Sequence, residues 1–347
     1  MIAAPACGSQ LQRLPLLILY LSERCNSRCV TCDYWRHGRV DMTYETMTRW
    51  LPSLHKLETQ VVLLSGGEPL LNPEWEKIAR LLHDHGLKLW LLTSGLSLAK
   101  HARRAAELFD VTTVSLDATD RDTYAAIRGV DAFNKVCEGI QAVAATSSRV
   151  GVRVTLQRAN FRQLPRFIDL ARELGAWQIS FLAVDVGSDH AFGRSGPFNN
   201  SELALHSDEL SELEQLIRSL ECEHAADFES GFIAESPLKL RRIHQYFAAL
   251  CGESKFPDVR CNAPEFSAVV TARGHVNPCF FIESPQDSTL LEDVDTVLNG
   301  ERMLELRDEI RAGARPECAR CVCSMWREPG SRTAADFWRA RATSRIN

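Results

Sequence analysis

The chain has 347 residues, 45% of them hydrophobic and 24% charged, with a formal net charge of −5. That composition suits one large globular domain with an appendage, and the lack of a basic block argues against nucleic acid as a partner. The longest apolar run, 14–21 ("LPLLILYL"), is too short to span a bilayer and has neither a basic leader nor a small-residue cleavage site, so the expectation is a cytoplasmic protein with no membrane partner.

Short apolar runs predict strands at 15–21, 61–65, 87–92, 111–116, 150–156 and 177–184. Between them, helical spacing covers 43–57, 73–85, 98–108, 119–146 and 163–174, with Pro73 after Asn72 as a helix start. Six β/α units in a row imply an α/β fold: a partial (β/α)6 barrel of parallel strands with its active site at the C-terminal strand ends. The barrel is expected over 15–200, ending in the loop-like stretch "DVGSDHAFGRSGPFNN" (185–200). A helical connecting region follows at 201–260, with helices at 202–224 and 236–250. The segment 261–327 reads as a small, loop-rich, metal-stapled domain, and 328–347 as a polar C-terminal helix or tail.

Twelve cysteines are many for a chain without a secretion signal, and point to metal or redox chemistry rather than disulfides. Three fall at 25, 29 and 32, five lie between 261 and 323, and Cys7, Cys137, Cys222 and Cys251 are scattered. The first group has the spacing C-x3-C-x2-C. On a helix these positions would share one face, but the neighbours Ser22, Glu23, Arg24, Asn26, Ser27 and Arg28 are polar, and Asn26 and Ser27 favour a loop. A loop leaving a strand end suits thiolates that converge on metal. Zinc would need a fourth ligand, for which His37 is a candidate. A 4Fe–4S cube also needs four, so three cysteines would leave one iron open to a small molecule.

C-x3-C-x2-C after a first strand resembles the cluster loop of the radical S-adenosylmethionine (SAM) enzymes. The resemblance extends to "SGGEP" (65–69), one β/α unit later, which is similar to that family's Gly-Gly-Glu-Pro motif. It implies that Cys25, Cys29 and Cys32 hold a 4Fe–4S cluster whose open iron takes the amino and carboxylate groups of SAM. Gly66, Gly67 and Glu68 would then receive the SAM amino group; glycines allow close backbone approach, and Glu68 can accept from an ammonium. Tyr34 is implied as the adenine neighbour. Ser94 in "TSG", Ser115 and Asp117 in "VSLDATD", Arg128 in "YAAIRG" and Gln157 ending "VRVTLQ" are implied as further SAM contacts. One departure is Thr31, where many relatives carry an aromatic residue.

In the second group, Cys261 and Cys279 enclose C-x12-G-x4-C, with Gly274 as the glycine, and Cys318 and Cys321 form C-x2-C. A zinc ribbon is one reading of such pairs. The pattern also resembles the auxiliary-cluster domain called SPASM, or its shorter twitch form. That resemblance implies one auxiliary 4Fe–4S cluster on Cys261, Cys279, Cys318 and Cys321. Cys323 is left as an alternative ligand, an inert buried thiol, or a catalytic hydrogen donor to a substrate radical.

The family resemblance further implies a flavodoxin- or ferredoxin-type electron donor, SAM cleavage to a 5′-deoxyadenosyl radical, and hydrogen abstraction from substrate. Two substrate classes stand against each other. One is a small polar molecule, carbohydrate or aminocyclitol-like, that is oxidised or epimerised. The other is a ribosomal peptide that is cross-linked or oxidised. The short stretch before the first strand favours the small molecule. Asp185, Asp189, His190 and Arg194 are the candidate substrate contacts in the loop after strand six. A zinc-stabilised binding protein without catalysis is the alternative of another class.

Overall fold

The computed structural model describes residues 10–146, 148–194, 196, 200–284 and 293–328. The predicted tail beyond 328 and Cys7 therefore lie outside the described residues. The strands are β1 (Leu16–Ser22), β2 (Val61–Gly66), β3 (Lys88–Thr93), β4 (Val111–Ser115), β5 (Arg149–Leu156) and β6 (Gln178–Ala183). They pair in parallel, each with its sequence neighbour, in the order β6-β5-β4-β3-β2-β1. This is the expected partial barrel. All seven residues of β1 are buried, because both faces of the sheet are covered. Leu17, Leu19 and Leu21 pack outward into the main core, whereas Leu16, Ile18 and Tyr20 join Val61 and Val269 in a second, inner cluster.

Crossover helices cover the outer face. Tyr44–Lys56 starts at Thr43, whose side chain accepts from Thr46 N, and buries Met47, Trp50, Leu51 and Leu54. The single helix expected over 119–146 is two, Arg121–Arg128 and Phe133–Ala144. Gly129, at φ +67°, caps the first in the left-handed region that glycine favours. The helices Leu210–Glu223 and Pro237–Leu250 follow the barrel as expected. No helix of the described residues is long and apolar enough to cross a membrane.

The cysteine-rich C-terminal segment packs onto the barrel. Its strand β7 (Ser267–Val270) pairs in parallel with β1 and extends the barrel sheet, and β8 (Val276–Asn277) returns antiparallel to it. The helices Val294–Leu298 and Glu301–Arg311 also lie in this segment and bury Leu298, Met303 and Leu306 in the main core. Ser53 Oγ donates to Asp295 Oδ1 at 2.8 Å, tying the segment to the first crossover helix. A strand of four residues, "SAVV", is too short to stand out by periodicity.

Candidate cluster and cofactor site

The first cysteine group leaves the C-terminal end of β1 as a loop gripped from several sides. Ser22 Oγ donates to Asp41 Oδ1 at 2.6 Å, and Arg24 Nη2 donates to Asp41 Oδ2 at 2.6 Å. The last turn of the helix Arg121–Arg128 supplies unpaired carbonyls: Arg128 O accepts from Arg28 N at 2.8 Å and Ile127 O from Val30 N at 3.0 Å. Gly129 makes this docking possible, since a Cβ there would lie 2.3 Å from Arg28 O.

Cys29 is buried, and Cys25 and Cys32 are half-buried. Burial pushes the Cys25 thiol up to about 11 and also raises Cys29 and Cys32, with Arg128 opposing it. Such thiols are ionised by metal coordination rather than by surrounding cations. Among the described residues, only His206, Asp208 and Glu209 bring three His, Cys, Asp or Glu ligand atoms within 4.8 Å of one another. Tetrahedral zinc, with bonds of about 2.3 Å, holds sulfurs about 3.8 Å apart. Neither cysteine set is drawn in that tightly, and His37 is exposed. An all-thiol donor set of this kind suits an iron–sulfur cluster.

Since each ligating thiol must lose a proton that burial retains, iron–sulfur reconstitution is expected to be more complete at about pH 8.5 than at about pH 7. The charge-transfer absorbance recovered at the two pH values measures this.

The Gly-Gly-Glu motif sits at the end of β2, against this loop. Gly66 has φ +110°, and a Cβ on it would lie 2.5 Å from Ser22 O; one on Gly67 would lie 2.3 Å from Arg24 O. Gly67 N donates to Ser22 O and Glu68 N to Arg24 O, both at 2.7 Å. The glycines therefore serve close approach to the cluster loop itself, rather than to a ligand. Glu68 is fully buried. Its carboxylate accepts from Thr93 Oγ1 (2.8 and 2.9 Å), Ser94 N (2.7 Å), Ser94 Oγ (2.6 Å) and Leu70 N (3.1 Å). These oxygens tie the motif to the turn after β3. Ser94 Oγ also lies 3.1 Å from Asn26 Oδ1, joining that turn to the cluster loop. In the sequence Asn26 reads only as a loop former and Thr93 only as the first residue of "TSG".

At the ends of β4 and β5, Asp117 organises a buried polar network. Asp117 Oδ1 accepts from Thr155 N at 2.7 Å, and Oδ2 pairs with Arg128 Nη1 at 3.0 Å. Asn160 Nδ2 donates to Asp117 O at 2.8 Å, and Gln157 N donates to Asn160 Oδ1 at 2.8 Å. Arg128 Nε and Gln157 Nε2 are buried and make no hydrogen bond among the described residues. Two unsatisfied donors, each costing about 1–3 kcal/mol, fit a place for an acceptor-rich group. Ser115 is half-buried at the end of β4. Asp117→Asn is expected to lower unfolding free energy by about 3 kcal/mol, since it strands the buried Arg128 charge; denaturant titration reads this directly.

Tyr34 meets Tyr20 edge to face, with ring centroids 5.9 Å apart, and Tyr20 stacks on Phe280 at 6.4 Å. Tyr20, another residue not anticipated, comes from β1, and Phe280 follows Cys279. This three-ring chain joins the two cysteine groups across the barrel interior.

In the second group, Gly274 is at φ +81° in the β7–β8 turn, where Gly274 N donates to Thr271 O. Asn262 ties the start of this group to its end: Asn262 N donates to Met325 O, and its side chain bonds both backbone groups of Arg327. Burial pushes Cys279 up to about 12 and Cys318 up to about 11, and also raises Cys261 and Cys321. Cys261 lies within electrostatic range of Cys279, Cys318 and Cys321, and Cys323 within that of Cys261 and Cys321. All five thiols therefore share one neighbourhood, with Cys323 N donating to Cys321 Sγ at 3.4 Å. Cys251 lies apart, donating to Leu205 O.

Residues 19–171 match the family model of the Radical SAM superfamily. They are a radical SAM domain. The chain is 28% identical over 169 residues to an "AdoMet-dependent heme synthase" of Methanosarcina barkeri, covering 47% of this chain and 48% of that protein. It is 25% identical over 309 residues to a "Probable GTP 3',8-cyclase" of Saccharolobus solfataricus, covering 85% and 90% of the two chains. It thus spans about half the length of the heme synthase and most of the cyclase. Among solved structures, Streptococcus suis SuiB bound to its precursor peptide SuiA matches with a TM-score of 0.63 at 12% identity, over 85% of this chain and 67% of that one. The structure of anSMEcpe with bound AdoMet matches with a TM-score of 0.64 at 17% identity, over 90% and 86%. At these identities the likeness is one of fold.

The loop after β6 departs from expectation. Arg194 and Asp185 pair with each other at 3.0 Å with almost no exposure of either side chain. They are buried structural residues rather than open substrate contacts. His190 pairs with Glu283 at 3.2 Å on the surface, and Asp189 is exposed.

Proposed function

We propose that the chain is a radical SAM enzyme that abstracts hydrogen from a small polar substrate, carbohydrate or aminocyclitol-like, for oxidation or epimerisation. The observation that carries the SAM site is a loop whose three cysteines lie within electrostatic range of one another and which packs against the Gly-Gly-Glu turn. Cys25, Cys29 and Cys32 would hold the 4Fe–4S cluster. When bound, that cluster with SAM supplies a 5′-deoxyadenosyl radical, the cofactors carrying the hard chemistry. Arg128 Nε and Gln157 Nε2 offer donors to the carboxylate or ribose oxygens of SAM. Ser94 and Ser115 stand at the ends of neighbouring strands, and Tyr34 offers its ring to the adenine.

Cys261, Cys279, Cys318 and Cys321 would hold one auxiliary 4Fe–4S cluster, which supplies an electron acceptor when bound. Cys323, beside Cys321, is the hydrogen donor in the epimerising form of this reading. A flavodoxin- or ferredoxin-type protein is the electron donor. A small substrate is supported by the enclosure of the barrel. β7 closes its β1 edge, and the loop after β6 is bonded down onto the cluster loop. Asp189 and His190, on the exposed part of that loop, are the substrate contacts left to it. The test is anaerobic turnover with dithionite, SAM and deuterated aminocyclitols or sugars. Deuterium recovered in 5′-deoxyadenosine supports the reading. Deuterium recovered only from a labelled peptide contradicts it.

A further inference from the structure

The loop after β6 carries a buried cation. The Arg194 side chain is 1% exposed, which is rare for arginine unless it is paired. Its Nη1 donates to Asp185 Oδ2 at 3.0 Å and to Ser188 O at 2.9 Å; its Nη2 donates to Asp185 O at 3.0 Å and to Thr31 O at 2.9 Å. Thr31 directly precedes Cys32. The same loop closes on that cysteine a second time, because Phe192 O accepts from Asp33 N at 2.9 Å and from the Cys32 thiol at 3.2 Å. Phe192 itself takes φ +59°, an uncommon conformation for a residue other than glycine. Gly193 then lets the loop touch Tyr34, since a Cβ there would lie 2.7 Å from Tyr34 N. Arg194 is also within electrostatic range of Cys32 and Asp33.

We propose that Arg194 is a positioning residue of the SAM site: it fixes Thr31 and Cys32 and sets a positive charge beside the N-terminal cluster that favours its reduced form. The inference rests on the reading of that site given above. The planar guanidinium fork reaches four acceptors at once, including the Thr31 carbonyl, which the ammonium of a lysine cannot match. A charge in a water-poor interior acts strongly on its neighbours, and charge near a cluster is one of the levers on its potential. Asp185 offsets part of that charge. Removing the arginine charge must therefore move the potential negative, and removing the Asp185 charge must move it positive.

The experiment is a redox titration followed by electron paramagnetic resonance on the anaerobically reconstituted full chain. The SAM-responsive signal is assigned by its absence from a Cys25→Ala, Cys29→Ala, Cys32→Ala variant. Arg194→Gln is expected to shift the potential of that signal negative, Asp185→Asn to shift it positive, and Arg194→Lys to stay nearer the wild type. Shifts of the same sign, or no shift in either charge-removing variant, overturn the proposal, as does a Lys variant that shifts as far as the Gln variant. If Arg194→Gln holds no cluster, Asp185→Asn decides by its sign. A wild-type chain with reducible clusters but no SAM-responsive signal defeats the reading of the SAM site, and this inference with it. A normal wild-type signal with unmoved variants defeats this inference alone.

Discussion

Replacing Cys25, Cys29 and Cys32 together by alanine is expected to abolish 5′-deoxyadenosine formation, bringing it below detection in an anaerobic assay with dithionite and SAM. The loop is held to the barrel by backbone bonds to Ile127 and Arg128 and by the Arg24–Asp41 pair, none of which involves a cysteine side chain. The fold should therefore survive while the metal is lost. Iron per chain should fall by about four, the content of one cube, leaving the auxiliary site loaded. Retained 5′-deoxyadenosine would move SAM cleavage away from these three thiols. Loss of all iron would show that the second cysteine group cannot hold a cluster by itself.

Gly67→Ala is expected to have the next largest effect. A Cβ at this position would lie 2.3 Å from Arg24 O and 2.7 Å from Glu23 O, both backbone atoms with no side-chain freedom to yield. Overpacking of that kind costs about 1–3 kcal/mol, and here the atoms displaced belong to the cluster loop. Gly67 N and Glu68 N would lose their bonds to Ser22 O and Arg24 O. We expect SAM affinity to fall more than tenfold, read by equilibrium binding to the reconstituted protein, together with a lower unfolding midpoint. Gly187→Ala is the matched control, because nothing lies within 4 Å of a Cβ built there. Equal SAM binding by Gly67→Ala and Gly187→Ala would show that the Gly-Gly-Glu turn does not brace the site.

Much of this architecture is legible in the chain because the six strands are apolar runs separated by helices of clear 3.6-residue spacing. The split at Gly129 is hidden in the sequence because a single glycine inside a helical pattern is tolerated as readily as it is a cap. β7 is hidden because four buried residues carry too few periods to mark a strand, and their partner β1 lies about 250 residues away in sequence. In the site, the cysteines are legible because a thiol cluster in a polar loop has few other uses. The charged residues are not. Arg194 and Asp185 read as substrate contacts, yet they are buried against one another. Glu68 reads as a ligand acceptor, and its bonds to Thr93 and Ser94 do not show in the sequence. A side chain's chemistry is written in the sequence, but its exposure depends on contacts between segments that only the folded chain brings together.

Metal analysis of anaerobically purified full-length protein bears most directly on the central claim, that the two cysteine groups hold clusters rather than single ions. The account predicts about eight irons per chain, with matching sulfide and a brown chromophore. A colourless protein holding zinc and no iron would contradict it.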